Sequence, residues 1–222
     1  MKRTFLLTLL FWGSATSLVA QGTSSPTEQE AAYTRTITTR AEKIVATLAI
    51  SDSATSDQLV KIIAAQYRNL NNIHTARDEQ VQAIKKAGGE SNDVAARVKA
   101  VEDEANAKLE KLHGQYISQL SAQLTTAQVE QVKDGMTYGV VPITYKGYTE
   151  MIPQLTEEQK KQIKIWLVEA REHAMDAESS EKKHWWFGKY KGRINNYLSA
   201  AGYDLKKAGA DWEKRRQAGK TK

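Results

Sequence analysis

The chain has 222 residues, 41% of them hydrophobic, and carries 32 Lys+Arg against 26 Asp+Glu for a formal net charge of +6. That length supports one full hydrophobic core or two small ones. There is no cysteine, which excludes a disulfide-stapled fold and the lipidated cysteine of a lipoprotein.

Lys2 and Arg3 precede the apolar run TFLLTLLFW, and Ala20 and Gly22 offer small residues for a cut. A positive n-region, a short apolar core and a small-residue site make residues 1–22 an expected export signal. The run falls short of the ~20 residues a spanning helix needs, and no longer one follows. The mature chain is therefore expected to be soluble, in a periplasm or outside the cell, with no transmembrane segment. Nucleic acid is not an expected partner in that compartment.

Beyond the signal, the sequence reads as helix. A first helix is expected after Pro26. Leu59, Ile63, Gln66, Leu70, Ile73, Arg77, Val81 and Ile84 step by three or four, a helical stripe with two polar interruptions. GGES at 88–91 breaks it, with Ser91 or Asn92 available as a cap. Val94, Val98, Val101, Ala105, Leu109, Leu112, Tyr116 and Leu120 then resume the same step. Two long amphipathic helices around a two-glycine turn predict an antiparallel hairpin.

An internal echo follows: QLTTAQVEQVK at 123–133 and QLTEEQKKQIK at 154–164. Thr125 with Gln128, and Thr156 with Gln159, each read as a capping box, in which the threonine oxygen and the glutamine satisfy first-turn N–H groups reciprocally. Doubled L-T-x-x-Q motifs also resemble the periplasmic Spy/CpxP-type chaperones. That resemblance implies a helical cradle for unfolded clients.

Between the echoes, Gly135, Gly139, Pro142, Gly147 and Pro153 predict an irregular loop over 136–153. Tyr145, Lys146 and Tyr148 in it are candidate cleft residues, since long loops in compact domains often carry function. The stretch YGVVPITYKGYTEMIPQLTEEQKKQIKIWLVEAREHAMD followed by KHWWFGKYKGRINNYLSAAGYD resembles an uncharacterised family of exported bacterial proteins, a domain of unknown function. The resemblance implies a secreted helical domain, associated with bacteria that degrade complex polysaccharides, and supplies no catalytic residue.

Residues 182–222 hold 12 Lys+Arg and 3 Asp+Glu, a net +9, against a net −5 over 23–181. Such asymmetry points to an anionic partner, an acidic glycan or acidic protein surface, or to docking of the basic end on the acidic body. On a helix over 182–202, Phe187, Tyr190, Ile194, Tyr197, Leu198 and Ala201 share one face, with Trp186 at its margin. Trp185 points the other way, beside Gly188 and Gly192. Two accounts of the glycines are open: a second helix packed close over a buried Trp185, or a groove where Trp185 stacks on a sugar while Lys189, Lys191 and Arg193 meet its negative charge. Glu169, His173 and Asp176 share a helical face, and His184, Tyr190 and Arg193 are the residue types a polyuronate lyase needs. Neither set converges well enough to be chosen, and no metal, cofactor or catalytic residue is expected. Leu205, Ala208 and Trp212 predict a short docked helix at the C-terminus.

The expected fold is all-α: a helical part with a long hairpin (23–135), the irregular loop (136–153) and a basic, aromatic-rich helical part (154–222), forming one domain. The expected function is a non-catalytic accessory protein that binds acidic polysaccharide through Trp185, Lys189, Lys191, Arg193, Tyr145, Lys146 and Tyr148. An L-T-x-x-Q chaperone and a polyuronate lyase are the alternatives.

Overall fold

The computed structural model describes residues 25–220, so the expected signal over 1–22 lies outside the described residues. Among them every regular element is helical and no strand occurs. Helix α1 (Pro26–Val45) begins with proline in its first turn and a capping box between Ser25 and Glu28. A 3₁₀ turn (Ala46–Leu48) leads into α2 (Ser53–Ala87), which Asp52 caps. Gly88 and Gly89, at φ of 69° and 131°, then reverse the chain into α3 (Ser91–Ser121). L side chains rarely adopt these φ values, so the two glycines fix the turn. The cap is Glu90 rather than Ser91 or Asn92, and it makes no side-chain cap bond.

The predicted hairpin is therefore present, each arm roughly 50 Å long at 1.5 Å per residue. Only its inner half is packed into the body. Leu59, Ile63 and Leu70 on α2 and Tyr116 and Leu120 on α3 are buried, whereas no residue from 75 to 104 is. The outer half is held by a half-buried seam that includes Val81 and Ile84 on one side and Val94 and Val98 on the other.

The two echoed motifs start α4 (Thr126–Met136) and α6 (Glu157–Met175). Thr125 Oγ1 accepts from the Gln128 N–H at 3.3 Å while Gln128 Oε1 accepts from the Thr125 N–H at 3.1 Å. Thr156 and Gln159 repeat the pattern at 3.2 and 2.9 Å. Leu124 and Leu155, just before each cap, are buried.

The segment expected to be an irregular loop is instead largely helix α5 (Val140–Met151). Gly139, at φ 65°, makes the turn into it. Pro142 falls in its first turn, where a missing N–H goes unused. Val141, Tyr148 and Ile152 line one face and are buried. Glycine and proline thus mark the start of this helix rather than its absence. Helices α7 (Ser180–Ala200) and α8 (Leu205–Lys220) complete the chain.

Two apolar clusters result. The first joins α1, α2, α3 and α4 through Ile44, Leu59, Tyr116 and Val132, and takes in Met175 from the end of α6. Here α4 lies so close to α1 that a Cβ on Gly135 would meet Ile44 Cγ1 at 2.9 Å. The second joins α5, α6 and α7 through Val141, Leu167, Phe187 and Ile194, with Leu205 and Ala208 of α8 packed at its edge. Between the clusters sits Arg171, only 2% exposed. Its Nη1 donates to Asp134 Oδ1 at 2.8 Å, and its Nη2 donates to Glu130 and, at 3.2 Å, to Glu172.

Removing one side of a buried ion pair leaves the other uncompensated, at a cost of about 3–5 kcal/mol. Arg171→Met is expected to lose roughly 3 kcal/mol of unfolding free energy in urea titration, because Glu130 and Asp134 retain some contact with water. Arg171→Lys should fall between, keeping the charge without the planar fork. An unchanged denaturation midpoint for Arg171→Met would rule out this joint.

Candidate functional site

Between the inner hairpin and the α6–α7 corner lies an open groove of about 700 Å³. On α7, residues 182, 185 and 186 are spaced to lie along one side of the helix, and Lys182, Trp185 and Trp186 form one wall. Arg77, Asn106 and Glu110 face them from α2 and α3. Trp185 is 53% exposed. Its indole meets the edge of Trp186 at 5.0 Å and 77°, and Trp186 stacks in turn on His173 at 4.3 Å and 16°. The Lys189 ammonium stands 5.5 Å from the Trp185 ring centre and 5.1 Å from that of Trp186. Trp185 is thus braced from behind, with more than half its surface open.

The floor is ionic. His113 Nδ1 lies 2.8 Å from Asp176 Oδ2, and its Nε2 lies 3.5 Å from Glu172 Oε2. With carboxylates at both nitrogens the imidazole holds its proton, and the hydrogen bonds to Asp176 and then Glu172 raise its pKa to about 9. Burial works against the Glu172 charge, but hydrogen bonds from His113 and Lys133, with the Lys133 and Arg171 charges, bring it down to about 2. The Lys133–Glu172 contact is 3.0 Å. From α2, His74 Nε2 donates to the Asp176 carbonyl at 2.7 Å, and Arg77 lies 3.7 Å from Glu178. His74 Nδ1 and Asp176 Oδ1 are buried without a hydrogen-bond partner among the described residues.

Of the expected ligand residues, Trp185 lines this groove and Lys189 stands beside it. A Cβ on Gly188 or Gly192 would meet nothing within 4 Å, so no close-packed helix explains them. Nothing in the structure does. Lys191 is exposed on another side of α7, six residues or about 240° round from Trp185. Arg193 packs over Trp166, 4.6 Å from its ring centre, and pairs with Glu169 at 3.5 Å. Eight residues along the helix put it roughly 12 Å from Trp185. Nor does α5 converge on the groove. Tyr148 is buried and its hydroxyl donates to Asn195 Oδ1 at 2.6 Å. Tyr145 is half-buried under Lys164, and Lys146 pairs with Glu150 at 3.6 Å. These three residues are engaged with partners away from the groove.

Of the first set considered for chemistry, His173 and Asp176 both line the groove, His173 stacked on Trp186 and Asp176 holding His113, while Glu169 is paired with Arg193. His184 stacks on Tyr138 at 5.6 Å, half a turn round α7 from Arg193. The floor residues His74, His113, Glu172 and Asp176 went unseen as a group because they come from three helices. The one available signal was Arg77, a polar residue on the hairpin's apolar stripe.

Fold and groove define an all-helical protein whose hairpin is tied by polar contacts across a helical body, next to an aromatic shelf. The chain belongs to the family described as Protein of unknown function (DUF3826), whose model matches residues 34–218. No curated protein matches it. Among the described residues no helix is long and apolar enough to cross a membrane.

The floor makes a pH prediction. A raised His113 pKa contributes stability that is complete below about 6.5 and lost as pH climbs through about 9. The lowered Glu172 pKa contributes above about 4.5 and is lost as pH falls through about 2. The pair is strongest between those windows. The difference in unfolding free energy between wild type and His113→Gln should shrink by an amount on the order of 2 kcal/mol from pH 6.5 to 9. Taking the difference removes the opposite contribution of Lys183, whose pKa burial pushes down to about 8. A pH-independent difference would contradict the assignment.

Proposed function

We propose that the protein is an exported, non-catalytic glycan-binding protein whose site is the groove below Trp185. The observation that carries this reading is a large, half-open indole in contact with Trp186 and Lys189 at the edge of a polar groove. Sugar rings present C–H faces that stack on indole, and their hydroxyls need donors and acceptors, here Asn106, Arg77 and Glu110. The floor carboxylates have partners of their own, Glu172 with Lys133 and His113, Asp176 with His113 and Glu178 with Arg77. Lys182 at the wall and Lys189 beside it, neither paired with a carboxylate among the described residues, are the cations that support an acidic polysaccharide on the Trp185 side, opposite Glu110 on α3.

The protonation states support binding rather than turnover. His113 and Glu172 are held in their charged forms across neutral pH, far from the poise a general acid or base needs. For a chaperone, a continuous apolar client surface is required. The exposed large apolar side chains Tyr138, Ile143, Ile165 and Trp185 stand on different elements, which favours the glycan reading. Export rests on the signal-like N-terminus.

Trp185→Ala should weaken binding to a uronic-acid polymer such as polygalacturonate by about tenfold, the worth of one aromatic contact of ~1.4 kcal/mol, with unchanged circular dichroism. Equal affinity of variant and wild type, or no binding across a panel of acidic and neutral polysaccharides, would defeat the proposal. Sustained formation of unsaturated uronate, followed by its ultraviolet absorbance, would replace it with a lyase.

A further inference from the structure

On the other side of the α6–α7 link, a smaller pocket of about 170 Å³ opens between α1, α2 and the start of α7. Two cations line it, Arg40 from α1 and Lys183 from α7. Lys183 is only 7% exposed. Its Nζ donates to the carbonyls of Ala174 and Met175 at 2.7 and 3.0 Å, closing the end of α6. That uses two of three N–H groups, and the third has no acceptor among the described residues. Arg40 has neither an ion pair nor a hydrogen bond among the described residues. Arg40 is exposed at the pocket mouth, and its charge adds to burial in disfavouring protonation of Lys183, while the Asp176 and Glu178 charges act the other way.

The one carboxylate on the rim, Glu178, is engaged toward α2, 3.7 Å from Arg77 and 4.0 Å from His74. The rest of the polar lining includes the Asn71 amide, Tyr33, which donates to the Tyr67 carbonyl, Ser179, which accepts from the Lys182 N–H, and two further tyrosine hydroxyls. Tyr138 accepts from Ser180 Oγ at 2.8 Å and keeps its own proton to give. The largely buried Tyr67 hydroxyl lies on the same wall without a hydrogen-bond partner among the described residues. The positive end of the 21-residue α7 also points here. Like charges crowded into a small pocket repel, and an anion between them converts that repulsion into attraction.

We propose that this pocket binds an oxyanion, the shared chemistry of carboxylate, sulfate and phosphate monoester groups, through the Arg40 guanidinium, the spare N–H of Lys183 and the Tyr67 and Tyr138 hydroxyls. The inference is independent of the groove below Trp185, which it adjoins across residues Ala177 and Glu178. It offers a second place for negative charge to be recognised, as a free ion or as a group carried on a sugar.

The test is calorimetric titration and thermal unfolding of the mature protein at pH 7 and low ionic strength, with inorganic sulfate, inorganic phosphate and galacturonate in turn. Saturable binding of at least one anion is expected, weakened at least tenfold in Arg40→Gln, as befits loss of a charge-assisted contact. Tyr138→Phe, which keeps the ring, should lose a few-fold. Arg35→Gln, an exposed charge five residues away on the same helix, and Trp185→Ala should both bind as wild type. Tighter binding of galacturonate or a sulfated oligosaccharide than of the inorganic ions would place the anion on a glycan, and the reverse order would make it a free ion. No saturable response to any of these anions, or an Arg40→Gln variant that binds like wild type, overturns the proposal. Neither result bears on the groove, because Trp185→Ala is read separately with polygalacturonate.

Discussion

Burial of one guanidinium sets much of this structure. Arg171 sits between the two apolar clusters with almost no solvent contact, and a charge there is tolerable only with partners arranged around it. Glu130 and Asp134 come one turn apart from α4, and Glu172 comes from α6 itself. Three carboxylates on one cation leave an excess of negative charge, and Lys133 and His113 offset it at Glu172. His113 then reaches Asp176, one turn further along α6. The groove floor is the outer edge of the joint between the two halves, which is why His113 holds its proton and why the floor carboxylates are already engaged.

The hairpin is set against the α6–α7 corner by directional contacts: His74 to the Asp176 carbonyl, Arg77 toward Glu178, and His113 to Asp176. The two histidine contacts are hydrogen bonds, which fix an angle as well as a distance. They therefore determine how far the hairpin wall stands from Trp185, and with it the width of the groove. Beyond these contacts the hairpin has only its own seam, with no buried residue from 75 to 104. Local stability follows buried apolar contact, so the outer arm, like α8, which also has no buried residue among those described, is less firmly held than the hairpin base beside the groove.

What was legible in the sequence was local. The 3.6-residue period located α2 and α3, the two glycines located the turn, and the echoed threonine–glutamine pairs located two helix starts. The period also separated the buried face of α7, Phe187, Ile194 and Leu198, from the open Trp185. It failed at α5, where proline and glycine density outweighed the stripe Val141, Tyr148 and Ile152, although proline is well tolerated in a first helical turn. It failed again with Arg193 and Tyr148. Proximity in sequence to Trp185, or aromatic character alone, said nothing of their partners Glu169 and Asn195 on other helices. The ionic floor joins residues as much as 102 positions apart, and a single-helix pattern carries no trace of such pairs.

The basic C-terminal region shows how a regional charge excess divides once the chain is folded. Arg193 is paired with Glu169, Lys207 with Asp211 and Arg216 with Glu213. Arg215 donates to the carbonyls of Glu150 and Met151, and Lys183 closes the end of α6. Much of the excess is thus taken up within the molecule, as caps and pairs that dock α7 and α8 onto the body. Pairing does not remove it evenly. Lys182 and Lys189 have no carboxylate partner among the described residues, and both stand near the same exposed indole, one lining its groove and the other over its ring. An isolated surface lysine is ordinary and an isolated surface tryptophan nearly so. Cations without carboxylate partners around a braced, open tryptophan are a combination that packing alone does not require, and it is this local residue of charge, rather than the regional total, on which the proposed recognition of an acidic glycan rests.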